Sequence, residues 1–203
     1  MTIQKYLNKL NQHSVLSALV LTVVLLCGIV GLGLYTVMAE PNGGYKVSDL
    51  EVRQAEDRQW YAYEKGTNNK AMTYTGVVPN RLGWWRVENG KVNFHAQGIY
   101  QNQYGWWKTT DGEVTFKENS IYQNEYGWWK CTDGKVTFKE QEIYQNQYGW
   151  WKCTDSEVTF KETGIFKNKY GKWYCKNSKV DFNKNGKVKY NGKTYTVKNG
   201  KVA

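Results

Sequence analysis

Ile121-Tyr122-Gln123-Asn124-Glu125-Tyr126-Gly127-Trp128-Trp129-Lys130-Cys131-Thr132-Asp133-Gly134-Lys135-Val136-Thr137-Phe138-Lys139 decides the fold. Ile121–Gln123 and Trp128–Cys131 are strand-like runs separated by a turn that ends in Gly127. Asp133-Gly134 is the pair that two-residue hairpin turns prefer, because glycine accepts positive φ without a steric cost. Lys135–Lys139 then alternates polar and apolar with period two.

The same stretch recurs every 22 residues. Gly83, Gly105, Gly127, Gly149 and Gly171 head five copies. Val92, Val114, Val136, Val158 and Val180 lie nine residues on, and Phe94, Phe116, Phe138, Phe160 and Phe182 eleven on. Ile99, Ile121, Ile143 and Ile165 lie sixteen on, and Tyr104, Tyr126, Tyr148 and Tyr170 precede the next glycine. Self-similarity at a fixed period marks a repeat architecture. Hairpins this short bury no apolar face alone and must stack. The reading is all-β: a β-hairpin solenoid over residues 60–203, with degenerate copies as caps at both ends. Residues 40–46 read as a linker, and Val47 to Arg58 as a charged stretch able to form a short helix, so 40–59 is set apart from the repeats.

Val15 to Met38 carries no charge, follows Lys5 and Lys9, and meets no acid before Glu40. About 20 apolar residues span a bilayer as a helix, and the preceding lysines hold the N-terminus inside. Residues 1–39 therefore read as one hydrophobic helix, either a signal cleaved after Ala39 or a retained transmembrane anchor; processing at Cys27 lacks the small residue such sites need before the cysteine. In each case the chain is exported, working as a secreted or membrane-anchored surface protein.

Neighbouring strand residues face opposite sides. In the last copy Lys172 stands where the first tryptophan would be, while Trp173 is kept. Trp85, Trp107, Trp129, Trp151 and Trp173 are therefore assigned to the core with the Val, Phe and Ile ladders. Trp84, Trp106, Trp128 and Trp150 are assigned to an outer row, with Tyr100, Tyr122 and Tyr144, which face away from their isoleucine neighbours. Rings in such a row stack on sugars and attract ammonium groups, so these seven residues are the candidate ligand-binding set.

The net charge of +10 is uneven, since residues 171–203 hold nine lysines and Asp181 as the lone acid, whereas 40–170 balance. That basic end suits wall phosphates or anionic glycans, and export argues against nucleic acid. Two histidines in 203 residues, with no P-loop or nucleophile elbow, leave no catalytic constellation and no cofactor motif. Glu118, Glu140 and Glu162 recur in register and read as solvated positions, not as an acid/base pair. Cys131, Cys153 and Cys175 share one repeat position and read as free thiols.

Phe166-Lys167-Asn168-Lys169-Tyr170-Gly171-Lys172-Trp173-Tyr174 and the recurring Tyr-Gly-Trp-Trp-Lys resemble the cell-wall-binding repeats of Gram-positive surface proteins, the choline-binding and glucan-binding repeat families. The resemblance spans about residues 60–203. It departs in its period, 22 instead of roughly twenty, and in reading Trp-Trp-Lys for Trp-Tyr-Tyr. It implies a hairpin solenoid with ligands held between aromatics of adjacent repeats, and attachment to a wall polymer or glycan, with choline as one candidate. A non-enzymatic wall- or carbohydrate-binding module is the leading reading; a structural or adhesive surface protein that binds a protein partner is the alternative.

Overall fold

A computed structural model describes residues 44–203 of the chain. The expected N-terminal helix, its cleavage after Ala39 and the Cys27 site lie outside the described residues, among which no helix is long and apolar enough to cross a membrane.

Each copy forms a hairpin followed by a short third strand, which in the copy of Gly149 is reduced to bridges at Glu157. In the third copy, Ile121–Asn124 pairs antiparallel with Gly127–Thr132, and Lys135–Val136 turns back onto the end of that strand. The short strand then bonds the long strand of the copy before it, Lys135 opposite Trp107. The same register recurs at Trp85–Glu113, Trp129–Glu157, Trp151–Lys179 and Trp173–Lys201. All of these pairings are antiparallel.

The two-residue turn drives this coupling. Asp111-Gly112 and Asp133-Gly134 have φ near 49° and 77°, and 48° and 74°, the left-handed pair of a type I′ hairpin. The second turn residue is buried against the preceding copy. Its carbonyl accepts from the long strand there (Lys108 N to Gly134 O, 2.8 Å), and its N–H donates back into the same copy (Gly134 N to Glu118 O, 2.9 Å). In the last two full copies the position is Ser156 and Ser178, both buried at positive φ. The Ser156 hydroxyl accepts from Lys139 N and Glu140 N, both at 3.2 Å.

The core is a series of small clusters, each joining neighbouring copies. One holds Ile121, Trp151, Cys153 and Val158; the next holds Ile143, Trp173, Cys175 and Val180. The valine and isoleucine ladders are buried, and so are the second tryptophans from Trp107 onward, with Trp85 half-buried. An indole N–H must find an acceptor when buried. Here it is the asparagine five residues earlier: Trp107 to Asn102 Oδ1 is 2.9 Å, and the bonds from Trp85, Trp129, Trp151 and Trp173 to Asn80, Asn124, Asn146 and Asn168 are each 3.0 Å. Asn102 Nδ2 in turn donates to Val77 O of the preceding copy (2.9 Å).

Two expectations are corrected. Val47–Asp49 makes only a single 3-10 turn, and Leu50–Gln54 is a strand paired with Trp60–Glu64. Val47, Leu50 and Val52 alternate into the N-terminal core cluster, so this stretch is part of the cap and not a linker or helix. The phenylalanine ladder is not core: Phe94, Phe116, Phe160 and Phe182 are 41–45% exposed. Phe116, Phe138 and Phe160 have φ of 55–57°, which turns the side chain out of strand alternation.

The thiols of Cys131, Cys153 and Cys175 are unpaired and buried, one per copy. Burial pushes each up to about 12, well away from the reactive thiolate.

The turn geometry yields a graded test. A methyl on Gly112 would lie 2.3 Å from Asn93 O, whereas Gly192 (φ 74°) has open space around it. Gly192→Ala should cost about 1–2 kcal/mol for the left-handed backbone alone. Gly112→Ala should cost clearly more, read from urea midpoints; equal costs would mean that the close approach of the copies contributes nothing.

Candidate functional site

The two-copy repeat of Trp-Trp pairs places rings from adjacent copies together. Trp128, the first tryptophan of its copy, meets three rings of the next: Tyr148 at 5.5 Å between centroids, Trp151 at 5.2 Å and Phe160 at 5.5 Å. The arrangement recurs with Trp84 against Tyr104, Trp107 and Phe116 (6.2, 4.8 and 5.6 Å). Trp106 meets Tyr126, Trp129 and Phe138 (5.4, 5.0 and 5.5 Å), and Trp150 meets Tyr170, Trp173 and Phe182 (5.7, 5.0 and 5.7 Å). Most of these contacts are edge-on or tilted, the geometry that ring quadrupoles favour.

The chain builds each cluster from local rules. The first tryptophan projects from the strand face opposite the buried one. The tyrosine sits in the turn, where Asn124 Oδ1 takes the Tyr126 N–H at 3.0 Å and Asn146 Oδ1 the Tyr148 N–H at 2.9 Å. In three of the four clusters the phenylalanine (Phe116, Phe138, Phe160) is aimed by its positive φ, a strained state for a bulky residue that persists only where its surroundings hold it. The tyrosine and phenylalanine are the open edge: Tyr148 is 60% and Phe160 44% exposed, while Trp106 is 9% exposed.

Of the predicted set, the structure therefore brings Trp84, Trp106, Trp128 and Trp150 into equivalent clusters between copies, Trp106 buried and the others half-buried, and not standing free as an outer row. Tyr100 and Tyr144 pack on the same core clusters as Trp84 and Trp128, but Tyr100, Tyr122 and Tyr144 make their polar and cation contacts with other partners. Arg86 lies over the Tyr100 ring at 4.1 Å, and Lys108 and Lys130 lie over Tyr122 and Tyr144 at 5.0 Å. The Tyr122 and Tyr144 hydroxyls donate to the carboxylates of Glu118 and Glu140. Tyr104, Tyr126, Tyr148, Tyr170 and the phenylalanines complete the clusters in their stead. Sequence reasoning treated the phenylalanines as core and gave the turn tyrosines no role. The available signal was a tyrosine kept in a turn, where neither helix nor strand packing requires one.

Glu118 and Glu140 are also fixed, not merely solvated. Thr110 Oγ1 donates to Glu118 at 3.0 Å, and Thr132 Oγ1 to Glu140 at 2.8 Å. The hydrogen bond from Tyr122, with help from Thr110 and Lys108, holds the Glu118 carboxyl below its ordinary value. At Glu140 burial pushes up, but the bonds from Tyr144 and Thr132 and the Lys130 charge outweigh it. The lysines are buried in turn, and burial lowers Lys108 and Lys130.

Grooves flank the clusters. One of about 710 Å³ is lined by Tyr144, Trp150 and Tyr170 with Asn119, Gln145 and Gln147. Another of about 430 Å³ opens on Trp151 and Phe160 with Lys176, Lys179 and Asp181. Among the described residues no group of three or more His, Cys, Asp or Glu is placed to hold a metal ion.

A family model for the choline-binding repeat matches residues 73–93 and 161–181. These two positions are consistent with choline- and cell-wall-binding repeat proteins, as the Tyr-Gly-Trp-Trp resemblance implies. No curated protein matches the chain. The matched segments bracket three copies that repeat the same tryptophan–asparagine bond and the same ring clusters.

The carboxylate network predicts the acid limb of stability. A carboxyl whose folded value is lowered stabilises the protein above its unfolded value, 4.5 here. That contribution is lost as pH falls through the lowered folded value. Glu118→Gln with Glu140→Gln should therefore reduce the urea midpoint at pH 7, and the gap from wild type should narrow below about pH 4.5.

Proposed function

We propose that residues 44–203 act as a non-catalytic module that binds choline-bearing cell-wall polymers, taking ammonium groups between adjacent repeats. The observation that carries this is the fourfold recurrence of one aromatic cluster, with the Trp84, Trp106, Trp128 and Trp150 rings as its inner walls. A quaternary ammonium has no proton to donate, so an array of ring faces is the neutral surface that attracts it. Each cation–π contact contributes about 0.5–2 kcal/mol. One cluster alone is a weak site. Four on one chain, facing a polymer that repeats its own ammonium groups, gain affinity through effective concentration.

Four further features support the reading. The matched family model is a choline-binding repeat. The phenylalanines at positive φ hold strain at the clusters, where a bound group would use their aim. The basic C-terminal copies add long-range attraction for a phosphate-rich wall. The groove that pairs Trp150 and Tyr170 with exposed amides suits a sugar ring of the same polymer: apolar faces for stacking, amides for hydroxyls. Residues 1–39, read from their sequence as a signal or anchor, would deliver such a module to the cell exterior.

The decisive measurement is sedimentation with purified choline-bearing walls, with free choline as competitor. Trp106→Ala, Trp128→Ala and Trp150→Ala combined should abolish it. Because these rings are half-buried or buried, a second variant changes the exposed Tyr104, Tyr148 and Tyr170 to alanine. It should keep the far-UV CD of the wild type and still lose most binding. A folded tyrosine variant that sediments like wild type would overturn the assignment.

A further inference from the structure

One register position next to the clusters changes its charge along the chain. In the second to fifth copies, eight residues after the leading glycine, the chain carries Glu113, Lys135, Glu157 and Lys179, and the equivalent of the last hairpin is Lys201. Strand pairing sets each of these opposite the buried tryptophan of the preceding copy. The lysine ammoniums lie over those rings: Lys135 Nζ is 4.8 Å from the Trp107 centroid, Lys179 Nζ 5.0 Å from Trp151, and Lys201 Nζ 5.5 Å from Trp173. At Trp129 the residue is Glu157. A methyl placed on Gly127 would lie 3.8 Å from Trp129 Nε1 and 3.9 Å from Glu157 Oε1, so the carboxylate reaches the same neighbourhood.

A fixed lysine there changes what its cluster accepts. A bare cation between Trp128, Tyr148, Trp151 and Phe160 meets a like charge beside it. A ligand with an anionic group next to its ammonium meets an opposite one. The depression at Trp151 and Phe160 has this mixed lining, with Lys176, Lys179 and Asp181 on its rim.

We propose that this register position sets the charge selectivity of each cluster. The clusters built on Trp107, Trp151 and Trp173 select zwitterions, with the rings taking the ammonium and the lysine an adjacent phosphate ester. The carboxylate at Trp129 biases its cluster toward cations without that anionic partner. This rests on the reading that the clusters hold ammonium groups.

The test uses the full chain and two probes, tetramethylammonium and phosphocholine, followed by tryptophan fluorescence. The variant combines Lys135→Glu, Lys179→Glu and Lys201→Glu; glutamate is native at this register in two copies, so the fold should carry it, and far-UV CD checks that. Charge reversal a few ångströms from the ligand should shift the affinity ratio toward tetramethylammonium on the order of tenfold. Glu157→Lys should move the ratio the other way, and both shifts should shrink in high salt. If both probes bind wild type and the lysine variant keeps its ratio, the selectivity proposal is wrong. If neither probe binds wild type, the ammonium reading itself fails.

Discussion

A buried indole needs an acceptor for its N–H, and this chain supplies one from its own sequence, five residues upstream, in all five copies. Much of the structure depends on that bond. It fixes the ring plane of the second tryptophan and orders the turn that carries the tyrosine. In the copies of Asn80, Asn102 and Asn146, the amide's other end reaches the preceding repeat as well. The tryptophan so held is the floor onto which the first tryptophan of the copy before it leans. Without the asparagine, the same packing would strand a polar group in an apolar cluster, at about 1–3 kcal/mol.

The hairpin array was legible because its signals are local and repeated. Asp-Gly and Asn-Gly pairs adopt the backbone that they imply, and the Val and Ile ladders are buried as the period-two rule requires. The rule failed where the backbone stops being a strand. Phe116, Phe138 and Phe160 follow Val114, Val136 and Val158 at a spacing of two, yet their positive φ sends them outward. The tyrosines before each glycine lie in turns, where alternation says nothing. Trp84, Trp106, Trp128 and Trp150 read as an outer row but lie between copies, because their closeness to the next copy depends on pairings 28 residues apart in the chain, such as Trp107 with Lys135. That register is set by how far one hairpin sits over another, which no single copy encodes. The stretch 47–54 was misread because a lone strand with charged outer positions resembles an amphipathic turn until its partner, Trp60–Glu64, is known.

The two networks divide the labour of the repeat. Lys108, Thr110 and Glu118 follow one another along one copy and are closed off by the Tyr122 hydroxyl of the next, which lets a lysine be buried without a stranded charge. The ring clusters likewise straddle two copies but leave an open edge. Both networks thus tie each copy to the next, the polar one closed and the aromatic one open.

The coupling reaches one copy forward and one copy back, so on the proposed reading ligand number follows chain length. Inserting another 22 residues in register would add one more gap, with its four rings, and would leave every existing gap as it was. Deleting an end copy would remove one binding position and expose a half-built one. A lineage carrying such a module can therefore change valency by duplicating or losing sequence units, without redesigning a single site.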